Sequence, residues 1–97
     1  MTTLIVVSTP KDDAGDALRR YVEQVMPMLL AAGGHVVKRL GIEDVVTGRP
    51  GPKYVMVMDF EDTSSIRRVF DSDEYHAIVP VRDEGLNAID IYITEDL

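Results

Sequence analysis

The sequence predicts an α+β fold: four strands in one antiparallel sheet, two helices on one of its faces, in the order strand, helix, strand, strand, helix, strand. Three observations carry this. "TLIVVST" (3–9) and "YVMVMDFE" (54–61) are β-branched and apolar runs of strand length. Residues 18–30 repeat apolar side chains at the three- and four-residue steps of a helix stripe. "NAIDIYITED", near the end of the chain, alternates Ile89, Ile91 and Ile93 with Asp90, Tyr92 and Thr94, the period of a half-buried strand.

Each element has its own signals. The first strand stops at Pro10. In the helix that follows, Leu18, Val22, Val25, Met26, Leu29 and Leu30 form one apolar stripe. Asp12 or Asp13 is expected to cap its start, and Gly33-Gly34 to end it, since a left-handed C-cap costs glycine no Cβ clash. Pro27 lacks the N–H that would reach the carbonyl of Glu23, so a kink or a new turn is expected there. "HVVKRLGIEDVV" (35–46) reads as a long strand with a bulge or bend at Gly41, and "TGRPGPK" as a loop. After the strand 54–61, Asp62 or Thr63 caps a short helix with Ile66, Val69 and Phe70 on its apolar face. "SDEYHAIVPVRDEG" (72–85) then connects this helix to the last strand.

Two βαβ halves side by side form the ferredoxin-like arrangement, and residues 1–97 are expected to make one such domain. Along 54–60, Tyr54, Met56, Met58 and Phe60 point one way and Val55 and Val57 the other, so the strand is apolar on both faces. An antiparallel sheet with one wet face alternates with polar residues. A second copy of the chain packed sheet to sheet around a two-fold axis would cover the face the helices leave open. A homodimer is therefore expected.

Composition narrows the function. The chain has 97 residues, 45% of them hydrophobic, and no cysteine, which excludes a disulfide framework and a thiolate metal site. No apolar run reaches a membrane span, and "MTTLIVVSTPK" has neither a basic leader nor a cleavage site, so a cytoplasmic protein with no membrane partner is expected. Ten basic residues against 17 acidic ones, a net charge of −7, leave no basic footprint for nucleic acid.

The candidate chemistry concentrates in residues 72–85. Ser72, His76 and Asp83 share a helical face, as a hydrolase triad would. Ser72 followed by Asp73 and Glu74 is, however, the pattern of a capped helix start, and Pro80 disturbs the alignment of His76 with Asp83. His35 and His76 lack the close spacing of metal ligands. Tyr75 and Arg82, one heptad apart, can donate a hydrogen bond and hold a carboxylate; the plainer alternative is a packed ring and an ordinary ion pair. Met56 and Met58 either line a ligand cavity or fill the core, and core is favoured.

The stretches "YVEQVMPMLLAAGGHVVKRLG", "GRPGPKYVMVMDFED" and "SDEYHAIVPVRDEG" together resemble a small bacterial family of unknown function. Tyr21, Pro27, Gly33, Gly34, Phe60, Ser72, Glu74, Tyr75 and Arg82 match its pattern in order. An aromatic pair, often with tryptophan, is common in that family just before the serine, where this chain has Phe70-Asp71. The family falls in the dimeric α/β-barrel superfamily, whose members include cofactor-free monooxygenases of antibiotic biosynthesis, muconolactone isomerases and heme-handling proteins. The resemblance implies a dimer with a cavity between each sheet and its helices.

Three functions follow as expectations. The first is an enzyme of the monooxygenase or isomerase type, acting without metal or cofactor on a small apolar metabolite. In it Tyr75, His76 and Arg82 orient or protonate the substrate, and His76 is the proton carrier. The second is a non-catalytic ligand-binding or stress-related module. The third is a heme-binding protein, with His35 or His76 as axial ligand.

Overall fold

In the computed structural model, which describes residues 1–97, the sheet is organised around β1 (Thr2–Pro10). It is paired on one side with β3 (Tyr54–Phe60) and on the other with β4 (Leu86–Ile93), and β2 (His35–Gly41) adds to β3. The order is β2-β3-β1-β4 and every pairing is antiparallel. Three helices complete the chain: α1 (Ala17–Ala31) between β1 and β2, then α2 (Thr63–Phe70) and α3 (Asp73–Gly85) between β3 and β4. This is the expected ferredoxin-like arrangement.

The register explains which face meets the helices. Leu4 stands opposite Met58 and Ile93, Val6 opposite Met56 and Ile91, and directly opposed residues share a face. That face carries the core, in which Leu4, Leu29, Met58, Phe60 and Ile66 are fully buried. The other face presents Ile5, Val7, Val55 and Val57, and no helix or strand of the chain covers it. Leu40 and Tyr92 lie on the same side, 45% and 53% exposed.

Three local expectations change. The start of α1 moves from Asp12 or Asp13 to Asp16, which makes no side-chain capping bond; residues 11–16 form turns in which Gly15 has φ 53°. Its end is as expected. Gly34 N–H donates to the carbonyl of Leu29 and Gly33 N–H to that of Leu30, both at 3.0 Å, with Gly33 left-handed at φ 92°. The helix runs through Pro27 without interruption.

β2 ends at Gly41, so Ile42–Val46 belong to the loop rather than to the strand, and the irregularity lies earlier, between Val36 and Lys38. The connector after α2 is itself a helix. Ser72 Oγ accepts from Tyr75 N–H at 3.1 Å and donates to the carbonyl of Val69 at 2.6 Å, ending α2 and starting α3. α3 then continues past Pro80 to Gly85. Asp62 caps α2 as expected, its carboxylate accepting from Ser65 N–H at 2.8 Å. That bond, and a second from the Ser65 hydroxyl, hold the Asp62 carboxyl below its ordinary pKa. No helix is long and apolar enough to cross a membrane.

Candidate functional site

Moving along the helix-facing side of β3, coverage falls away. Phe60 and Met58 are fully buried, Met56 is half-buried and Tyr54 is 50% exposed. The helical layer does not close over this end of the sheet. Between α1 and the sheet it leaves a cavity of about 600 Å³. Leu18, Tyr21, Val22, Val25, Met26 and Leu29 line it from α1, and Val6, Met56 and Ile91 from the sheet. Tyr54, Arg39 and Gly41 are lining residues that are also exposed, which places the mouth at the β2–β3 end. Ser8 and Arg39 contribute polar side chains to an otherwise apolar wall.

Behind that wall lies a polar cluster built by the helices. α1 supplies Tyr21 and α3 supplies Tyr75 and Arg82, one heptad apart on the same helix face. The two tyrosine hydroxyls are 2.9 Å apart, and Arg82 Nη1–H donates to the Tyr75 hydroxyl at 3.2 Å. The Tyr75 ring is fixed edge-on against Phe70 and Tyr21, with centroids 4.8 and 6.3 Å away. Burial, reinforced by the hydrogen bond to Tyr75, raises the pKa of the Tyr21 hydroxyl, because the phenolate would be poorly solvated there. Partial burial works against the Arg82 charge. The hydrogen bonds to Tyr75 and to Asp83 outweigh it, and the guanidinium pKa sits above its ordinary value.

The geometry sorts the sequence candidates. Tyr75 and Arg82 are brought together, and both alternatives for them hold at once: the ring is packed, and Arg82 also pairs with Asp83 at 3.0 Å. His76, on the same helix, is exposed and lies outside both the cluster and the cavity lining. Ser72 is occupied as a cap and Asp83 by Arg82, so the triad alignment is absent. His35 is exposed at the start of β2, opposite Asp59, and no group of three side chains suited to a metal ion occurs. The two methionines divide: Met58 is core and Met56 lines the cavity.

Two site residues escape the sequence reading of chemistry. Tyr21 reads there only as part of a family pattern, although a tyrosine on an otherwise aliphatic helix stripe is a signal for a buried hydroxyl needing a partner. Arg39 carries no signal, because its face depends on the strand irregularity.

The family described as a domain of unknown function, DUF1330, matches residues 2–97, and the chain belongs to it. No curated protein matches the sequence. Among solved structures, a protein of unknown function from Rhodopseudomonas palustris superposes with a TM-score of 0.82 at 14% identity, over 99% of this chain and 82% of that one. A protein from Nitrosomonas europaea, provisionally assigned as an antibiotic biosynthesis monooxygenase, superposes with a TM-score of 0.69 at 14% identity, over 100% and 99%. A dimeric protein of unknown function and ferredoxin-like fold from Bacteroides fragilis gives 0.62 at 12% identity, over 98% and 95%. These likenesses show a shared fold.

Proposed function

We propose that this DUF1330 protein binds a small apolar molecule in the cavity beneath α1, and does so as a homodimer. The cavity carries the reading. It has the size of a ligand site, about 600 Å³, and its lining is apolar with a few polar groups at the mouth and wall. Wild-type protein is expected to show a raised melting temperature with 1-decanol, and Val22→Phe, which fills the cavity from α1, to lose most of that shift. No shift for the wild type would remove the reading.

The homodimer rests on the uncovered face of the sheet and on the loop beside it, where Val46 is 96% exposed and Ile42 and Val45 are 40% and 46% exposed. The dimeric neighbour of the same fold supports it. Light scattering is expected to give twice the chain mass, and Val57→Lys, on the uncovered face, to give the monomer.

A second reading is favoured by one observation, the line from Arg82 through Tyr75 to Tyr21 on the cavity wall. Arg82 donates into the Tyr75 oxygen, and the Tyr75 and Tyr21 hydroxyls share one hydrogen bond, so the guanidinium polarises the pair. In a cofactor-free enzyme of the monooxygenase or isomerase type, this cluster would hold or move a proton at the cavity wall, with Tyr75 and Arg82 in the roles the sequence predicts for them. The Nitrosomonas europaea neighbour of the same fold supports a monooxygenase-type reading. The His76 side chain makes no hydrogen bond to the cluster. Neither histidine lines the cavity, so neither of the expected axial ligands faces a heme there.

A further inference from the structure

Arg39 is the one charged side chain among the residues that line the cavity. It makes no ion pair: the four in the protein engage Arg19, Arg20 and Arg82. Nor does it donate a hydrogen bond, unlike Arg19, Arg20, Arg68 and Arg82. The chain has 17 acidic residues against ten basic ones, so partners are abundant, yet none lines the cavity beside this guanidinium.

The backbone places Arg39 there by a specific device. Val36 pairs with Met58; after an irregularity at Val37, Lys38 pairs with Val57 and Arg39 with Met56. Opposed residues share a face, so Arg39 joins Met56 on the cavity side. An unbroken register would set Lys38 opposite Met56 and turn Arg39 to the uncovered face. One extra residue in a strand re-aims every side chain beyond it. Here it exchanges an ammonium for a planar guanidinium, whose fork grips a carboxylate through two parallel hydrogen bonds.

We infer that the molecule held in the cavity is an apolar carboxylate, with its hydrocarbon part among Val6, Val22, Met26 and Met56 and its carboxylate on Arg39 at the mouth. The inference rests on the cavity-binding reading and adds the charge of the ligand to it. A lone arginine with no second cation matches a single negative charge rather than the double charge of a phosphate monoester. The apolar walls suit a saturated or aromatic body with no further polar groups. Met26 and Met56 adapt to its outline, since methionine side chains are unbranched and flexible.

Calorimetric titration with decanoate and with 1-decanol, which share a ten-carbon chain and differ in charge, tests this on the intact protein. Decanoate is expected to bind the wild type roughly ten- to a hundred-fold more tightly than decanol, the range for a charge-assisted hydrogen bond. Arg39→Met, which keeps an apolar stem, is expected to erase that preference, so that decanoate binds no more tightly than decanol. Lys38→Met removes the same charge one residue away, and is expected to keep the preference. Equal affinity of the two ligands for the wild type would overturn the carboxylate assignment while leaving the cavity reading standing. An equal loss in Lys38→Met and Arg39→Met would also overturn it, by tracing the preference to overall charge. Binding of neither ligand would overturn the cavity reading and this inference together.

Discussion

The two ends of the helix–sheet layer are made of the same material and have different fates. At one end Leu4, Met58 and Phe60 are sealed by Leu29 and Ile66, and all five are fully buried. At the other, Val6, Met56 and Tyr54 continue the same strands on the same face, yet they border a cavity. The residue types do not explain the contrast, since Met56 and Met58 are chemically identical. Coverage does. α2 contributes Ile66 and Val69 and α3 Ile78 to the buried core, whereas the cavity is lined from α1 with Phe70, Leu86 and the sheet. One end holds the fold together, and the other has room for a ligand.

Truncation should expose this difference most sharply. Phe60→Ala is expected to cost about 3–5 kcal/mol in urea unfolding, the range for emptying a buried aromatic site. Met56→Ala is expected to cost under about 2 kcal/mol, since its site already borders open space. Equal costs for the two would mean that the open end is packed in solution.

A smaller effect is expected where α3 meets α1. A Cβ on Gly85 would lie 2.7 Å from Leu18 N and 3.0 Å from Leu18 Cα, both backbone atoms, so the helices approach closely because this residue has no side chain. Gly85→Ala is expected to cost about 1–3 kcal/mol, through separation of α1 from α3. An unchanged unfolding midpoint would show that α1, and with it the cavity wall, shifts freely.

The pH dependence separates the polar cluster from both ends. Tyr21 has a raised pKa in the folded protein, so above the ordinary tyrosine value of about 10 the unfolded chain releases a proton that the folded chain keeps. The unfolded state then binds fewer protons, and stability falls as pH rises, by about 1.4 kcal/mol per unit from this group. Below pH about 10 both states are protonated and the contribution is fully present. Tyr21→Phe is expected to lose about 1 kcal/mol with the hydrogen bond at neutral pH and to lack the alkaline slope. The same slope in both proteins would place the titration on other groups.

Much of this was readable from the chain. The alternation in residues 89–94, the helix stripe from Leu18 to Leu30 and the glycine pair at 33–34 each encode a local preference, and local preferences survive folding. The cap at Ser72 was legible for the same reason. What the pattern misjudged was extent: 35–46 is apolar enough for a long strand, but β2 stops at Gly41, where it runs out of β3 to pair with. The pairing of Tyr75 with Arg82 was visible as a heptad on one helix, whereas its third member, Tyr21, comes from a helix 54 residues earlier in the chain.

Amphipathic periods, caps and turn residues are properties of a few neighbouring residues, and they were sufficient to determine the order of the four strands and the apolar stripe of α1 in this protein. The cavity, the buried tyrosine pair and the face on which Arg39 emerges depend on how far the helices reach across the sheet and on one extra residue at Val37. Those are relations between segments distant in sequence. No local energy term distinguishes Lys38 from Arg39 as the inward residue, and the choice is made only when β2 takes its register against β3.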